Sequence, residues 1–512
     1  MGHKNQSILL FGAIASISTA AQAQWSEFST IHQVVADGPG EQVQPKISPT
    51  LDGGCYISWF SSDSGYDVRL QRLDSAGNIM WANNGILIAD RGFSSTQDYG
   101  LDTDSNGNAV IAFRDDRFGG VVVTAHSVAP DGTLNWGPNG IQLGSSADSI
   151  NSPDIASTDD GNVVVGWINN ADSIFTQLNP SGSENWSTTL STDFGDSILV
   201  SNMQRSDSGS VIVSWVQYGF FLGPKHLYAQ KLAADGSEAW TQRVPVFDGG
   251  SLQFGNFPDF VSDGSGGAVF SWYDTANSLD VYAQHLQSDG TESFPHNGAS
   301  VSTAPRERVS PAATYDPTNN TVLVAWVELE NNQGDQGIYA QSLDALGNPL
   351  WGSTGKVISA IDNTGSGSVN THMLGDTLVV SWIENAGGFD LDTVLAFGVN
   401  PDGTNAWNSG AAPVATDFNE RSRLTATVST DGFLIAGWQV GPFGSADIET
   451  HNVNPDGSLG PASCAADLND DEVLDFFDIS FFLSNTVDYN NDTVFDFFDI
   501  SAFLTDYGAG CP

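Results

Sequence analysis

The chain has 512 residues, with 61 acidic against 16 basic side chains and a formal charge of -45. That balance excludes binding to nucleic acid or to an anionic membrane, because no cationic surface is available to displace counterions from phosphates. Only 15% of residues are charged while 40% are hydrophobic and 11% aromatic, so a sizeable core can form, and 55 glycines point to a turn-rich, all-β protein with an acidic, hydrated surface.

Residues 1–23 read as a secretory signal peptide: Lys4 in a short polar start, an apolar run from Ile8 to Ile17, and Ala21-Gln22-Ala23 as a small-x-small cleavage site. The run is too short to span a bilayer, and no later stretch reaches about 18 apolar residues. The expected location is therefore secreted or cell-surface associated after bacterial-type export, with no membrane insertion once the signal is removed. Of the three cysteines, Cys55 alternates with Ile57 and Trp59 on one side of an expected strand and reads as a buried thiol. Cys464 and Cys511 bracket the C-terminal segment, and an oxidising compartment would let them pair as a disulfide, adding roughly 4 kcal/mol by the chain-entropy model.

Internal repetition organises residues 24–460. A turn, a few strand-forming residues, one small residue and then an aromatic recur eight times, the aromatics being Trp59, Phe113, Trp167, Trp215, Trp272, Trp326, Trp382 and Trp438. The residue before each is Ser, Ala or Gly, which implies that neighbouring backbone comes close there. Downstream lies a third strand, then a tight turn such as Asp131-Gly132, Asp235-Gly236 or Asp456-Gly457. Four residues after the turn glycine a second aromatic opens another strand: Trp81, Trp136, Trp186, Trp240, Phe294, Trp351 and Trp407.

The eighth repeat lacks that final strand, whereas Trp25 and the run Val34-Val35-Ala36-Asp37 supply an orphan one. Four strands per repeat, eight times over and closed by strand exchange, is the signature of an eight-bladed β-propeller with N-terminal strand closure. All 14 tryptophans fall in the two aromatic columns, so blade packing claims them.

Residues 464–512 form a different unit. From Asp467 and again from Asp488, oxygen-bearing side chains recur at loop positions 1, 3, 5, 9 and 12, the spacing that surrounds a hard cation such as Ca²⁺ with oxygens. Eleven acidic and no basic residues lie between Cys464 and Pro512, a density that is self-repulsive without metal. After each loop, Phe476-Phe477 and Phe497-Phe498 open short amphipathic helices whose aromatics are expected mostly to pack the two copies together, with a few left to form a partner face.

This segment resembles the dockerin family, and its Cys464 start and Gly510-Cys511-Pro512 ending look like the GC-type dockerins of exported bacterial proteins. The resemblance implies a small α-helical, EF-hand-like domain with two Ca²⁺ sites. The implied ligands are Asp467, Asn469, Asp471, the Val473 carbonyl, Asp475 and Asp478 in the first loop. In the second they are Asp488, Asn490, Asp492, the Val494 carbonyl, Asp496 and Asp499. Glu472 and Thr493 stand at the sixth position, where the family has Gly, which implies weaker affinity. It further implies a cohesin-like or other surface scaffold module as partner.

No nucleophile elbow, zinc-protease motif or phosphate loop is present. The loops after the second strands hold Asp63, Asp67, Asp115, Asp116, Asp172, Asp274, Asp280, Glu328, Glu384, Asp390, Asp392 and Asp447; those entering the next blades hold Arg306, Glu307, Arg308, Arg421 and Arg423. Both loop sets emerge on one rim, which with Tyr218, Phe220, Phe221 and Tyr273 suits glycan or peptide binding. His126 and His451 share a column with Gln71, Gln230, Gln284 and Gln341, so cross-strand hydrogen bonding is expected of them. The sequence thus reads as a secreted, dockerin-anchored propeller that binds a ligand such as polysaccharide. The alternative is a polysaccharide-degrading hydrolase or lyase with paired rim carboxylates.

Overall fold

The computed structural model describes residues 25–509 apart from 64, 93–98, 193–194, 221, 254–257, 277–278, 331, 386–391, 462–465, 469–473, 488 and 490–494. The expected signal peptide, Cys464 and Cys511 lie outside the described residues. Eight four-stranded antiparallel sheets form eight blades, seven from consecutive strands over residues 42–89, 100–143, 150–190, 197–247, 260–300, 307–362 and 365–415. The eighth combines residues 421–453 with the strand Gln33–Ala36, which pairs antiparallel to Asp447–Val453. The chain is an eight-bladed β-propeller closed by its N-terminal strand. Two helices follow, α1 (Phe476–Asn485) and α2 (Phe497–Ala509), and among the described residues no helix is long and apolar enough to cross a membrane.

The second strand of each blade carries the first aromatic column, and seven of these residues are among the largest fully buried side chains: Trp59, Phe113, Trp215, Trp272, Trp326, Trp382 and Trp438. Each packs toward the preceding blade. Trp59, for example, joins Trp25, Val35, Ile435 and Ile448 in the seam between blades eight and one, and an apolar cluster of this kind fills each of the eight seams. The small residue before the aromatic points the other way and makes room for side chains of the next blade, not for its backbone. Ser58 meets the Tyr99 hydroxyl at 3.0 Å, and a Cβ on Gly166 would lie 3.1 Å from Met203 of the next blade as well as 2.8 Å from Phe175 of its own. Cys55 is fully buried in the same layer, and burial pushes its thiol pKa up, as expected of an inert cysteine.

The second aromatic column stands mostly in the connection before the fourth strand rather than at its start; Trp81 precedes the strand Ile86–Ala89 by several residues. Its task is to reach the next blade. Seven indole N–H groups, from Trp25, Trp81, Trp136, Trp186, Trp240, Trp351 and Trp407, donate at 2.8–3.1 Å to backbone carbonyls of Ser75, Pro130, Pro180, Ala234, Ser288, Pro401 and Pro455. Two residues beyond each acceptor is a glycine, and with Gly347 the eight have φ between +81° and +87°. This is the left-handed residue that ends a three-residue hairpin connection. Substitution is opposed twice over, because a Cβ on Gly236 would also sit 2.6 Å from the Trp186 ring, and one on Gly457 2.5 Å from Trp407.

The glutamine column positions these aromatics from below. Gln71, Gln230, Gln284 and Gln341 accept the backbone N–H of Trp81, Trp240, Phe294 and Trp351 at 2.9–3.2 Å. His126 does not follow them. Among the described residues neither ring nitrogen has a hydrogen-bond partner, and the ring stacks on Phe113 instead. His451 Nδ1 donates to the adjacent Asn452 carbonyl at 3.1 Å.

Deleting residues 25–37 removes Trp25, Val35 and Ala36, each 5% exposed or less, and uncovers a strand edge. The truncated protein is expected to melt well below the intact one and to aggregate, as read by calorimetry and light scattering. Burial holds the pKa of His126 and His451 down to about 4, from an ordinary value of 6.5. Between those values the unfolded chain binds protons that the folded chain does not, so stability falls as pH drops from about 6.5 toward 4. A His126→Gln variant, carrying the residue of the neighbouring blades, is expected to flatten that slope in pH-dependent denaturation curves.

Candidate functional site

The loops after the second strands and those entering each new blade share one rim, opposite the repetitive glycine turns. Many of the acids expected to be available there are instead braces between blades. At the seam of blades one and two, Arg91 is 1% exposed; its Nη1 donates to the Arg114 carbonyl at 2.6 Å, its backbone N–H reaches Asp67 at 3.2 Å, and its guanidinium lies over the Phe60 ring. Beside it Asp115 is fully buried, ion-paired to Arg117 at 2.7 Å and hydrogen-bonded by Thr124 at 2.8 Å. Burial alone would raise the Asp115 carboxyl, but the bonds from Arg117 and Thr124 outweigh it and hold the pKa below the usual carboxylate range. Asp116 accepts the Gly92 N–H at 3.1 Å.

The same device recurs at other seams. Arg308 bridges Asp280 at 2.5 Å and Glu328 at 3.1 Å, while Glu328 also accepts the Trp326 indole N–H at 2.7 Å. Here burial wins: Glu328 is fully buried, and its pKa is raised despite the indole and the guanidinium. Between blades seven and eight, Arg421 pairs with Asp417 and its backbone N–H donates to Asp392 at 2.7 Å. Asp274 accepts the Ser251 and Ala276 N–H groups, both at 2.9 Å. Asp390 lies outside the described residues.

One carboxylate behaves differently. Asp447, at the start of the third strand of blade eight, has its pKa raised to about 6, first by burial and then by the charges of Asp37 and Glu449. Glu449 in turn faces the His32 ring nitrogen at 3.1 Å.

Exposed apolar side chains crown this rim at Phe118, Phe220, Leu222, Phe418 and Phe443, the last 95% exposed. Of the aromatics expected here, Phe220 is exposed, Tyr273 is buried in the seam of blades five and six, and Phe221 lies outside the described residues. Phe118, Phe418 and Phe443 were legible only as aromatics outside both repeat columns. Three of these flank blade one, Phe418 and Phe443 on blade eight and Phe118 on blade two, with Tyr66 of blade one between them. The sector is held firmly: Glu41 accepts the Tyr66 hydroxyl with one carboxylate oxygen and the Gly444 N–H, beside Phe443, with the other at 2.9 Å.

The innermost strands of all eight blades enclose a central lumen of about 1010 Å³. Its wall includes Lys46, Arg205 and Arg423 together with Asp102, Asp154 and Asp259.

In the C-terminal segment the two copies fold alike. Asp478 accepts the Leu468 and Asp475 N–H groups, both at 2.9 Å, and Asp499 accepts those of Tyr489 and Asp496, both at 2.7 Å. Asp475 caps α1 through the Phe477 N–H at 2.6 Å, and Asp496 bonds the Phe498 N–H at 2.7 Å. Asp467 is also described, whereas Asn469, Asp471, Val473, Asp488, Asn490, Asp492 and Val494 lie outside the described residues. Phe482 and Phe503 stack with centroids 4.3 Å apart and join the copies. Contrary to expectation, the opening pairs Phe476-Phe477 and Phe497-Phe498 do not pack inward: they are 65–72% exposed. As helix N-terminal residues flanking a capping Asp, they point away from the interface that Phe482 and Phe503 fill.

No protein-family model matches the chain, and no curated protein matches it. Among solved structures, the chain is similar to the Dos1 propeller at 13% identity and a TM-score of 0.46, covering 82% of this chain and 95% of that one. It is also similar to a polysaccharide lyase, the PL25 ulvan lyase bound to -[GlcA(1-4)Rha3S]-, at 11% identity and a TM-score of 0.43, covering 72% and 95%. The propeller domain of the Trilobed protease from Pyrococcus furiosus matches at 12% identity and 0.40, covering 74% and 99%.

The Arg308–Glu328 brace gives a stability test. Arg308→Met leaves the Glu328 carboxylate buried without its guanidinium and is expected to cost about 3–5 kcal/mol in denaturant unfolding. Adding Glu328→Gln to that variant is expected to restore most of the loss.

Proposed function

We propose that this protein is an exported polysaccharide-binding propeller, residues 24–460 after removal of a signal peptide, anchored to a scaffold or surface module by a Ca²⁺-dependent dockerin-like unit at 464–512. The carrying observation for ligand binding is the sector over blades eight, one and two, where Phe418, Phe443 and Phe118 stand exposed on loops fixed by Glu41, Arg91 and Asp116. Exposed rings on a rigid rim stack on the apolar faces of sugars at little ordering cost, and the acidic groups among them accept hydroxyl hydrogens.

The anchor reading is supported by the twin acidic loops. Asp478 and Asp499 are fully buried, and no basic residue lies between Cys464 and Pro512 to compensate them. Backbone N–H groups satisfy one lone pair on each oxygen, and the donor set of carboxylates and carbonyls suits a hard, oxygen-seeking cation. Asp467, Asp475 and Asp478, with Asp496 and Asp499, are the described residues that would hold Ca²⁺ there. The exposed Phe476-Phe477 and Phe497-Phe498 pairs offer the face that a cohesin-like module would cover.

Asp447 favours a second reading. A carboxyl with a pKa near 6, set beside Asp37 and Glu449 on the same rim, has the protonation range of a general acid in a hydrolase or lyase.

A polysaccharide panel assayed for both binding and chain cleavage separates the two. Binding without cleavage is the expected outcome, and turnover abolished by Asp447→Asn with binding retained would install the enzyme instead. In the full chain, Ca²⁺ is expected to raise the helical signal by circular dichroism and chelator to reverse it, with Asp478→Ala or Asp499→Ala each weakening one calorimetric site. A chain that takes up no Ca²⁺ is not anchored in this way.

A further inference from the structure

The lumen is electrically lopsided, and its cationic side coincides with the aromatic sector of the rim. Its three acids lie on blades two, three and five and are committed to the wall. Asp102 accepts the Thr103 N–H and both the N–H and hydroxyl of Ser157, at 2.7–2.8 Å. Asp154 accepts the Ile155 and Met203 N–H groups at 2.9 and 2.8 Å, and Asp259 the Asn202 amide at 3.2 Å. Arg205, on blade four, is likewise turned to the wall, donating to Ser157 and to the Thr103 carbonyl. Lys46 on blade one sits 5.4 Å over the Tyr99 ring. Arg423 on blade eight differs from all of these: it is exposed to the lumen, and its side chain makes no hydrogen bond or ion pair with the described residues.

The backbone presents Arg423 there at a cost. In five blades the innermost strand bulges near its upper end, with one residue in the left-handed region: Gln44, Ser152, Ser310, Ser368 and Arg423, at φ between +44° and +56°. Glycine would adopt this conformation without strain, and a long, unpartnered cation is the least expected occupant. Strain of this kind concentrates where a side chain is needed in a given place. Four of the five bulges are consecutive around the ring, on blades six, seven, eight and one, so the lumen mouth offers two serine hydroxyls, a guanidinium and an amide in sequence. Arg423 also follows Phe418 by five residues in the same loop-and-strand unit.

We propose that the lumen mouth at blades eight and one, centred on Arg423, is the subsite for the charged group of an anionic sugar, a carboxylate or a sulfate. The inference rests on the polysaccharide-binding reading above and names the class of polysaccharide. A guanidinium donates two parallel N–H bonds to either group, whereas hydroxyls and an amide at the neighbouring bulges serve the remaining sugar hydroxyls. The large net negative charge of the protein does not prevent this. It is screened beyond about 8 Å at physiological ionic strength, so the contact made inside the lumen decides.

Calorimetric titration of the full chain with oligogalacturonate, with a sulfated carrageenan oligosaccharide and with a neutral cello-oligosaccharide tests the proposal. At least one anionic probe is expected to bind ten-fold or more tightly than the neutral one, and the stronger of the two identifies carboxylate or sulfate. Arg423→Gln is expected to lower affinity for that probe at least ten-fold and to leave the neutral probe unchanged, with Arg423→Lys recovering part of the loss. Arg423→Gly is expected to abolish the anionic preference while raising the melting temperature, a combination that misfolding cannot produce. Equal affinity for neutral and anionic probes, or an anionic preference that survives Arg423→Gln, overturns the subsite and leaves polysaccharide binding standing. Binding to none of the probes, with none on the wider panel, overturns both.

Discussion

The structure depends on one repeated contact: an aromatic ring of one blade laid over the left-handed glycine of the next blade's turn, its indole N–H bonded to a carbonyl two residues earlier. Each such contact couples two requirements: the glycine must adopt positive φ, and it must lack a Cβ. In four of the eight, a glutamine below also holds the aromatic at the right height. A net hydrogen bond of this kind contributes about 1 kcal/mol, and the ring buried with it contributes more. Phe294 is the exception. With no N–H to donate, it packs on Gly347 by contact alone, so the seam between blades five and six lacks the hydrogen bond that the other seven have.

Fixing one rim so uniformly releases the other. The loops opposite the glycine turns carry no repeated constraint and differ in length, charge and aromatic content from blade to blade. They are kept in place by individual devices, the guanidinium of Arg91 threaded among carbonyls or that of Arg308 between two acids. A buried Arg–carboxylate pair adds little net stability compared with an apolar pair, but it fixes geometry, because the planar fork tolerates few arrangements. The rim therefore spends most of its charges on shape, and those left over, Asp447 and Arg423, stand out by contrast.

The blade count, the closing strand and the turn glycines were legible in the sequence because each follows from a periodic demand on residue type. The role of Trp81 and its equivalents was harder to read. Spacing places them after a turn, but only packing shows that they serve the neighbouring blade rather than their own strand. The rim was read in outline and misread in detail: Asp67, Asp115 and Glu328 share composition with a binding surface, but Asp67 accepts the Arg91 N–H, and Arg117 and Arg308 of their own blades pair with Asp115 and Glu328. The inner bulges were illegible, since Gln44, Ser152, Ser310, Ser368 and Arg423 occupy a conformation that sequence patterns reserve for glycine. At the C-terminus the acidic spacing was plain, whereas the outward turn of the paired phenylalanines depends on the capping geometry of Asp475 and the stacking of Phe482 on Phe503.

The strand Gln33–Ala36 completes a blade whose other strands begin at Arg421, and Ser429 bonds the Gly53 carbonyl across a separation of 376 residues. During synthesis the first strand to emerge therefore waits for the last blade, and the ring has no stable closed form until nearly the whole propeller has left the ribosome. Each two-blade segment already has its own apolar seam, so collapse proceeds early and locally while closure comes late. The entropic cost of joining such distant ends grows only logarithmically with length, but the search for them is slow. Closure of the ring is thus the one step that needs both ends of the propeller at once.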